Sequence, residues 1–127
     1  MYQRTLQKEL LAASNSYPVV TVMGPRQSGK TTLVQLTFPQ KPYVNLEAPD
    51  IRERALLDPR SFLESYPHGA ILDEIQRAPS LLSYIQLLVD KSSEKGLFIL
   101  IGSHQMTLHE AITQSLAGRT ASSLFFQ

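Results

Sequence analysis

The sequence predicts an α/β fold in which helices cover both faces of a parallel sheet. Short apolar runs alternate from end to end with segments whose apolar residues recur at helical spacing. Several of the apolar runs contain no charged residue, which is typical of strands that are buried on both faces. A glycine-rich turn also joins the first of these runs directly to a helical segment. Together, these observations favour a three-layer arrangement around one sheet.

The first half of the chain contains two predicted strands and four predicted helices. A helix to about Ser14 is indicated by apolar side chains at helical steps, namely Tyr2, Leu6, Leu10 and Ala13. The β-branched run 19–23 predicts the first strand, residues 30–37 a helix, and residues 43–46 the second strand. Residues 50–57 and 61–66 predict two further helices, because Pro49 and Pro59 lie near their starts, where a missing N–H is tolerated.

The second half continues the alternation. Residues 70–72 predict the third strand, which ends on Asp73 and Glu74. Pro79 and Ser80 open a helix whose apolar stripe spans residues 81–89. Residues 97–101 predict the fourth strand, residues 106–117 a helix that Gly118 ends, and residues 122–126 a fifth apolar strand. The whole chain, residues 1–127, is therefore predicted to be one domain.

Composition narrows the function classes. The 127 residues are 43% apolar and 18% charged, with a net charge of +1, so no surplus charge favours nucleic acid or an anionic membrane. The absence of cysteine excludes disulfides, thiolate chemistry and cysteine-ligated zinc. The apolar runs are far shorter than the ~20 residues of a membrane helix. We therefore expect a soluble protein, cytoplasmic by default, without a membrane partner and with nucleic acid not expected as a partner.

The most specific motif is a glycine, four residues, a second glycine, a lysine and a hydroxyl residue. It comprises Gly24, Pro25, Arg26, Gln27, Ser28, Gly29, Lys30, Thr31 and Thr32. Because it lies between a buried strand and a helix, its backbone N–H groups should converge on phosphate. The motif predicts ATP binding, with Lys30 on the β- and γ-phosphates and Thr31 on Mg²⁺. The alternative is a glycine-rich turn with an exposed lysine.

A second motif is the acidic pair at the end of the third strand. The carboxyl ends of parallel strands are where open α/β sheets bind ligands. Asp73 is predicted to hold Mg²⁺, directly or through water, and Glu74 to orient or deprotonate the attacking water. Taken alone, such a pair is usually a solvated strand end.

The end of the fourth strand is the third candidate. Ser103 is predicted to contact the γ-phosphate or the attacking water, and His104 is the second choice there. A simple strand-ending turn is the alternative for both residues.

These residues together resemble a family of bacterial and archaeal ATPases of the AAA superfamily whose longer members carry a C-terminal domain of unknown function. The resemblance is carried by residues 18–20, GPRQSGKTTL at residues 24–33, residues 43–47, 70–76, 98–103 and 115–119. It implies the nucleotide-binding domain of such a protein, a P-loop NTPase fold with sheet order 5-1-4-3-2. The fourth strand, inserted between the first and third, would leave room for a catalytic water between Lys30 and Glu74.

The resemblance also implies roles for two other residues. Asn45 resembles the polar residue that can pair with the catalytic glutamate and hold it inactive, although a turn residue is the alternative. Arg119 is similar to a residue that contacts phosphate in its own chain or a neighbour's, and a surface or salt-bridging arginine is the alternative.

Family members continue past the fifth strand, whereas this chain stops at Gln127. We therefore expect a domain truncated at its C-terminus: a fragment, an engineered domain or a degenerate short reading frame. Phe125 and Phe126 would then be exposed, which favours self-association or docking of a protein partner at this edge.

The predicted function is an ATP-binding domain with machinery for Mg²⁺-dependent hydrolysis. Turnover should be slow in isolation, since an arginine supplied in trans contributes roughly 10³ to 10⁵ in rate. The rival from another class is a non-catalytic ATP-dependent switch or assembly module that docks a partner. A small-molecule phosphotransferase is a third interpretation, disfavoured because no arginine-rich lid segment is visible.

Overall fold

The computed structural model describes residues 2–25, 28–103 and 106–125. Its helices and strands alternate as the sequence predicts. In chain order they are α1 Tyr2–Ser16, β1 Val19–Met23, α2 Lys30–Thr37, β2 Tyr43–Asn45, α3 Pro49–Leu57, α4 Pro59–Glu64, β3 Ala70–Asp73, a 3₁₀ turn Ile75–Arg77, α5 Leu81–Asp90, β4 Phe98–Gly102, α6 Met106–Leu116 and β5 Thr120–Phe125.

The five strands form one sheet in the order β2-β3-β4-β1-β5, and every neighbouring pair is parallel. The predicted fold class and the strand order are therefore confirmed. β4 lies between β1 and β3, so the strand that precedes the phosphate-loop motif and the strand that ends on Asp73 are second neighbours. All strand carboxyl ends meet at one edge of the sheet, which we call the carboxyl edge; the opposite one is the amino edge.

Alternate side chains of the strands fill two separate cores, one on each face of the sheet. Ile71, Ile99 and Ile101 point into the smaller core, which α1 and α2 cover with residues such as Leu10 and Val34. The other face carries the larger core, where α3, α4, α5 and α6 pack on strand residues that include Ala70, Leu72, Phe98 and Leu100. Burial on both faces explains why β1, β3 and β4 lack the polar alternation of a half-exposed sheet.

The boundaries of several elements differ from the prediction by one or two residues. α3 and α4 begin on the prolines themselves, because proline fits the first turn of a helix. β4 is shifted by one residue, and β5 begins at Thr120 rather than residue 122, since Val19 pairs with Thr120 and the hydroxyls of Thr21 and Thr120 lie 2.9 Å apart. The 3₁₀ turn after β3 was not predicted.

The amino edge is closed by backbone contacts. Gly69 has φ +84° and packs so closely on the carbonyl of Leu97 that a Cβ there would lie 1.5 Å from that oxygen. The Nζ of Lys41 donates to the carbonyls of His68 and Leu97, each at 3.0 Å. Burial lowers the pKa of Lys41, an effect that nearby Glu94 partly opposes. These contacts join the starts of β2, β3 and β4.

Among the residues that the structure describes, no helix is both long enough and apolar enough to cross a lipid bilayer.

Candidate functional site

The carboxyl edge brings the three predicted motifs together. β1 leads into the loop 24–29, β3 ends on Asp73, and β4 ends at Gly102 between them. The backbone N–H of Gly24 donates to the carbonyl of Gly102 at 3.2 Å, which fixes the start of the loop to β4. The parallel order of the sheet therefore places residues distant in sequence around one site.

The start of α2 is open to an anion. Gly29 precedes the helix with φ 87° and, as a glycine, has no side chain that could cap the first N–H groups of α2. A Cβ on Gly29 would meet no described atom within 4 Å, so the approach to these N–H groups is unobstructed by that part of the chain. Uncapped N–H groups at a helix N-terminus, together with the helix dipole, favour a negatively charged ligand.

Lys30 is the first residue of α2 and is only 4% exposed. Its Nζ donates to the carbonyl of Pro25 at 2.8 Å, across the loop. An ammonium group has three N–H donors, and this bond uses one of them. The lysine thus closes the loop upon itself while it retains donors for phosphate oxygens.

Thr31 and Asp73 join the first two motifs. The Thr31 hydroxyl donates to Oδ2 of Asp73 at 2.7 Å. The same oxygen accepts a bond from the Tyr43 hydroxyl at 2.6 Å, and Oδ1 of Asp73 accepts from the backbone N–H of Glu74 at 2.8 Å. Burial, followed by the bond to Asp73, raises the pKa of Tyr43 well above its usual range, so the phenol remains a donor. Three donors therefore fix the orientation of the Asp73 carboxylate.

Glu74 has an unusual backbone. Its φ of 58° makes it the one non-glycine residue with positive φ in the described ranges. Such a conformation is strained for a residue with a Cβ, and it is found preferentially at functional sites. Glu74 is 9% exposed, and its Oε1 accepts a bond from Nε2 of Gln76 at 2.9 Å.

Two serine hydroxyls are buried at the site, one in the loop and one at the end of β4. Oγ of Ser28 and Oγ of Ser103 are buried and have no hydrogen-bond partner within the described part of the chain. A buried polar group without a partner is destabilising, so such groups are expected where a ligand completes the hydrogen bonding. Ser28 lies in the loop, and Ser103 directly follows Gly102, whose carbonyl accepts the N–H of Gly24.

The donor set fits Mg²⁺. One hydroxyl oxygen and one carboxylate oxygen, from different chain segments, lie 2.7 Å apart, and hard divalent cations prefer such oxygen ligands. Thr31 and Asp73 would hold the ion.

Some predicted residues do not join this cluster. Oδ1 of Asn45 accepts the backbone N–H of Glu47 at 3.0 Å, which is the turn role weighed for this residue. Thr32 lies exposed on α2. Arg26, Gln27 and His104 fall outside the described residues, as do Phe126 and the side chain of Phe125.

Arg119 lies at the amino edge, not at the loop. Its carbonyl accepts from the N–H of Val19, the first residue of β1, and its guanidinium makes two bonds to Asp90 at 2.6 and 3.0 Å. The expectation that Arg119 contacts phosphate in its own chain is therefore not supported, because the sheet separates it from the loop. The salt-bridging alternative describes the residue as the structure places it.

Tyr43 and Gln76 belong to the site, and sequence reasoning assigned neither a role. Tyr43 was the first residue of a predicted strand, and both residues lay in segments that carry the family resemblance. The one sequence signal for both was their closeness to Asn45 and Glu74.

The sequence matches a known family over most of its length. Residues 16–126 match the family described as AAA domain, AAA_14. The chain belongs to this AAA domain family. Membership implies nucleotide binding, and the P-loop ATPase resemblance is thus confirmed at the level of the family.

Two curated relatives are similar to this AAA domain. They are the uncharacterized protein Mb2031c of Mycobacterium bovis and the uncharacterized protein Rv2008c of Mycobacterium tuberculosis, each 34% identical over 118 residues. The match covers 92% of this chain but 27% of each relative, so the chain spans about a quarter of their length.

Solved structures share the fold. The Walker-type ATPase PABY2304 of Pyrococcus abyssi superposes with a TM-score of 0.64 at 16% identity, over 98% of this chain and 53% of the other. A DNA replication initiation factor gives a TM-score of 0.59 at 12% identity, over 98% and 44% respectively. At these identities the likeness shows that the AAA domain has the fold of a Walker-type ATPase.

Proposed function

We propose that this AAA domain binds ATP at the carboxyl edge and hydrolyses it slowly with Mg²⁺. The observation that carries the proposal is the 2.7 Å bond between the Thr31 hydroxyl and the Asp73 carboxylate. This bond places a hydroxyl from the phosphate loop against a carboxylate from the next motif. A structural turn has no need of that pairing, whereas a metal-bound triphosphate needs both oxygens.

The loop and the start of α2 bind the phosphates. Backbone N–H groups of residues 28 and 29 and of the first turn of α2 donate to phosphate oxygens, and the helix dipole favours their negative charge. Lys30 adds a positive charge from a buried position at the base of the loop. Since Gly29 has no side chain, the backbone can approach the phosphate closely.

Thr31 and Asp73 hold the metal in this proposal, and Tyr43 keeps the Asp73 carboxylate in place. When bound, Mg²⁺ neutralises charge on the phosphate oxygens. Partners that orient a ligating carboxylate commonly change metal affinity when they are removed.

Glu74 acts on the water. Its carboxylate takes a proton from a water molecule as the water oxygen bonds to the γ-phosphorus, and the bond from that phosphorus to the bridging oxygen of ADP breaks. The strained backbone of Glu74 supports a functional role, because strain of this kind persists only where surrounding contacts impose it. Turnover by the isolated domain should be slow, since Arg119 pairs with Asp90 at the amino edge and does not lie at the loop.

The test is calorimetric titration of ATP, and separately GTP, with Mg²⁺ into the purified chain, followed by phosphate release under single-turnover conditions. Lys30→Ala should weaken ATP binding about tenfold or more, because a charge-assisted contact to phosphate is lost. Glu74→Gln should leave affinity unchanged and lower the hydrolysis rate by roughly 10² to 10⁴. Lys91→Ala and Glu110→Gln are matched exposed controls.

Unchanged ATP affinity in Lys30→Ala would refute the assignment of the loop. Unchanged phosphate release in Glu74→Gln would remove Glu74 from its role while the binding proposal survives.

A non-catalytic switch is the second candidate, and one observation favours it. Glu74 is connected through Gln76 to the backbone of Ser103 at the end of β4, so a change at the loop can reach Glu74 without any reaction. In that case ATP would bind with unchanged dependence on Lys30, and phosphate release would be absent even in single turnover.

A further inference from the structure

We propose that Gln76 is a positioning residue that holds the carboxylate of Glu74 and connects it, through the end of β4, to the phosphate loop. This inference rests on the proposed hydrolysis and names a residue that the motifs do not include. It has three structural supports: the chemistry of the Gln76 amide, the space beside Gly102, and the backbone of Glu74.

The Gln76 side chain bridges two strands. Its Nε2 donates to Oε1 of Glu74 at 2.9 Å, and its Oε1 accepts the backbone N–H of Ser103 at a longer 3.4 Å. Only one orientation of the amide satisfies both neighbours, because a carboxylate needs a donor and an N–H needs an acceptor. A glutamate at this position would meet Glu74 with an acceptor, and an apolar side chain would make neither bond.

The bridge continues to the loop. Ser103 directly follows Gly102, and the carbonyl of Gly102 accepts the N–H of Gly24, where the loop begins. A chain of hydrogen bonds therefore runs from Glu74 through Gln76 and the end of β4 to the first residue of the loop. This chain of hydrogen bonds connects the carboxyl ends of three strands that are neighbours in the sheet, in the order β3, β4 and β1.

Gly102 provides the space for the Gln76 amide. A Cβ on Gly102 would lie 3.1 Å from Oε1 of Gln76, 3.2 Å from a methyl of Ile75 and 2.6 Å from a methyl of Leu108. The Leu108 methyl would have to move, and the amide of Gln76 would have to shift by a few tenths of an ångström. Because Gly102 has no side chain, there is room for the Gln76 amide beside the end of β4.

The backbone of Glu74 explains why its carboxylate needs a partner. The positive φ turns the chain sharply at the end of β3, and the 3₁₀ turn brings residue 76 back toward residue 74. Glu74 is nevertheless only 9% exposed, so contacts within the protein hold its side chain. The bond from Gln76 is one such contact, and it leaves the second carboxylate oxygen of Glu74 unused by the amide.

The first experiment measures turnover and binding in Gln76→Met, with Gln86→Met as a control at a half-buried glutamine on α5. If Gln76 positions Glu74, kcat falls roughly 10- to 100-fold, as expected for a misplaced catalytic group, while KM and ATP affinity stay unchanged. A kcat within twofold of the unsubstituted chain overturns the inference. A parallel loss of ATP affinity overturns it too, because that indicates general damage to the site.

The second experiment needs neither nucleotide nor turnover. At about pH 8, Gln76→Glu places two carboxylates against each other and should lower Tm by roughly 3 to 8 °C. Adding Glu74→Gln restores a donor between the two side chains, so the double variant should recover most of that loss while it remains inactive. If Gln76→Glu lowers Tm equally in the unsubstituted chain and in the Glu74→Gln variant, the proposed contact is overturned.

The two failures are distinguishable. If the unsubstituted chain binds ATP but releases no phosphate in single turnover, the proposed hydrolysis falls, and the positioning role falls with it. If the chain hydrolyses ATP, Glu74→Gln abolishes this and Gln76→Met does not slow it, only the present inference is wrong.

Discussion

The amino edge and the carboxyl edge of the sheet contain similar residues, but the packing around those residues differs. At the amino edge, Gly69 is packed against the Leu97 carbonyl and both acceptors of Lys41 are backbone oxygens. At the carboxyl edge, Gly29 has open space around its missing Cβ, and the hydroxyls of Ser28 and Ser103 are buried without a described partner. Each edge has a buried or half-buried lysine and a left-handed glycine, yet one edge is complete in itself and the other is not.

The comparison separates stability from function within one small fold. In open α/β sheets ligands bind outside the carboxyl ends of the strands, and the opposite edge serves mainly to hold the structure. Changes at the amino edge should therefore alter stability without altering ATP binding. Changes at the carboxyl edge should alter ATP binding or turnover, whether or not they also lower stability.

The largest expected effect is that of Gly69→Ala. The new Cβ would lie 1.5 Å from a backbone oxygen, and alanine is strained at φ +84°, so the starts of β3 and β4 would have to separate. We expect a loss of about 4 kcal/mol or more in the free energy of unfolding, a large part of the stability of a domain this size. Urea denaturation followed by circular dichroism measures it. A variant as stable as the unsubstituted chain would show that this edge is not closed as described.

A sharper test compares two glycines that have similar surroundings but lie at different edges of the sheet. Gly29 and Gly118 both have positive φ, and a Cβ on either would meet no described atom within 4 Å. Each substitution by alanine should cost about 1 kcal/mol, because left-handed strain is partly offset by reduced freedom of the unfolded chain. Only Gly29→Ala should also weaken ATP binding, by about tenfold or more, since its Cβ would project where phosphate must approach.

Equal ATP affinities in these two variants would contradict the assignment of the carboxyl edge. Unequal losses of stability would instead indicate that one of the two glycines is more constrained than its surroundings suggest. Calorimetric titration and urea denaturation on the same two preparations distinguish these results.

The sequence predicted the fold well because its signals are local. The charge-free runs, the prolines at helix starts and the phosphate-loop motif each depend on a few adjacent residues. The strand order was not local information: it came from the resemblance, since no spacing in the chain says that β4 lies between β1 and β3. The structure then confirmed that order.

The site was predicted only in part, for a physical reason. Asp73 and Thr31 were found because motifs name them, whereas Tyr43 reaches Asp73 only through the pairing of β2 with β3. Gln76 reaches Glu74 because the backbone of Glu74 is left-handed, and no propensity predicts that conformation for glutamate. Contacts that depend on register or on a strained turn cannot be inferred from residue type.

Arg119 is a predicted site residue that lies at the amino edge in the structure, away from the phosphate loop. It precedes β5, and its guanidinium lowers the pKa of Asp90, chiefly through a side-chain hydrogen bond. Because the folded pKa of Asp90 lies below the unfolded value of 3.8, the stabilising effect of the pair is complete above that pH. It is lost as the pH falls through the lowered pKa. The pair is exposed, so salt should also screen it.

Arg119→Ala should therefore have a smaller effect than any of the three glycine substitutions. We expect a slight loss of stability at neutral pH and low salt, which disappears both in about 1 M salt and at acid pH, where Asp90 is protonated. Asp90→Asn should reproduce most of it, because either change removes the same ion pair. ATP affinity should be unchanged, since the sheet lies between Arg119 and the loop.

Turnover that falls in Arg119→Ala but not in Asp90→Asn, and only at high protein concentration, would place this arginine on a neighbouring copy's nucleotide. In that case Arg119 at the amino edge of one copy would contact the nucleotide at the carboxyl edge of the next copy. The amino edge would then serve stability alone only within a single chain.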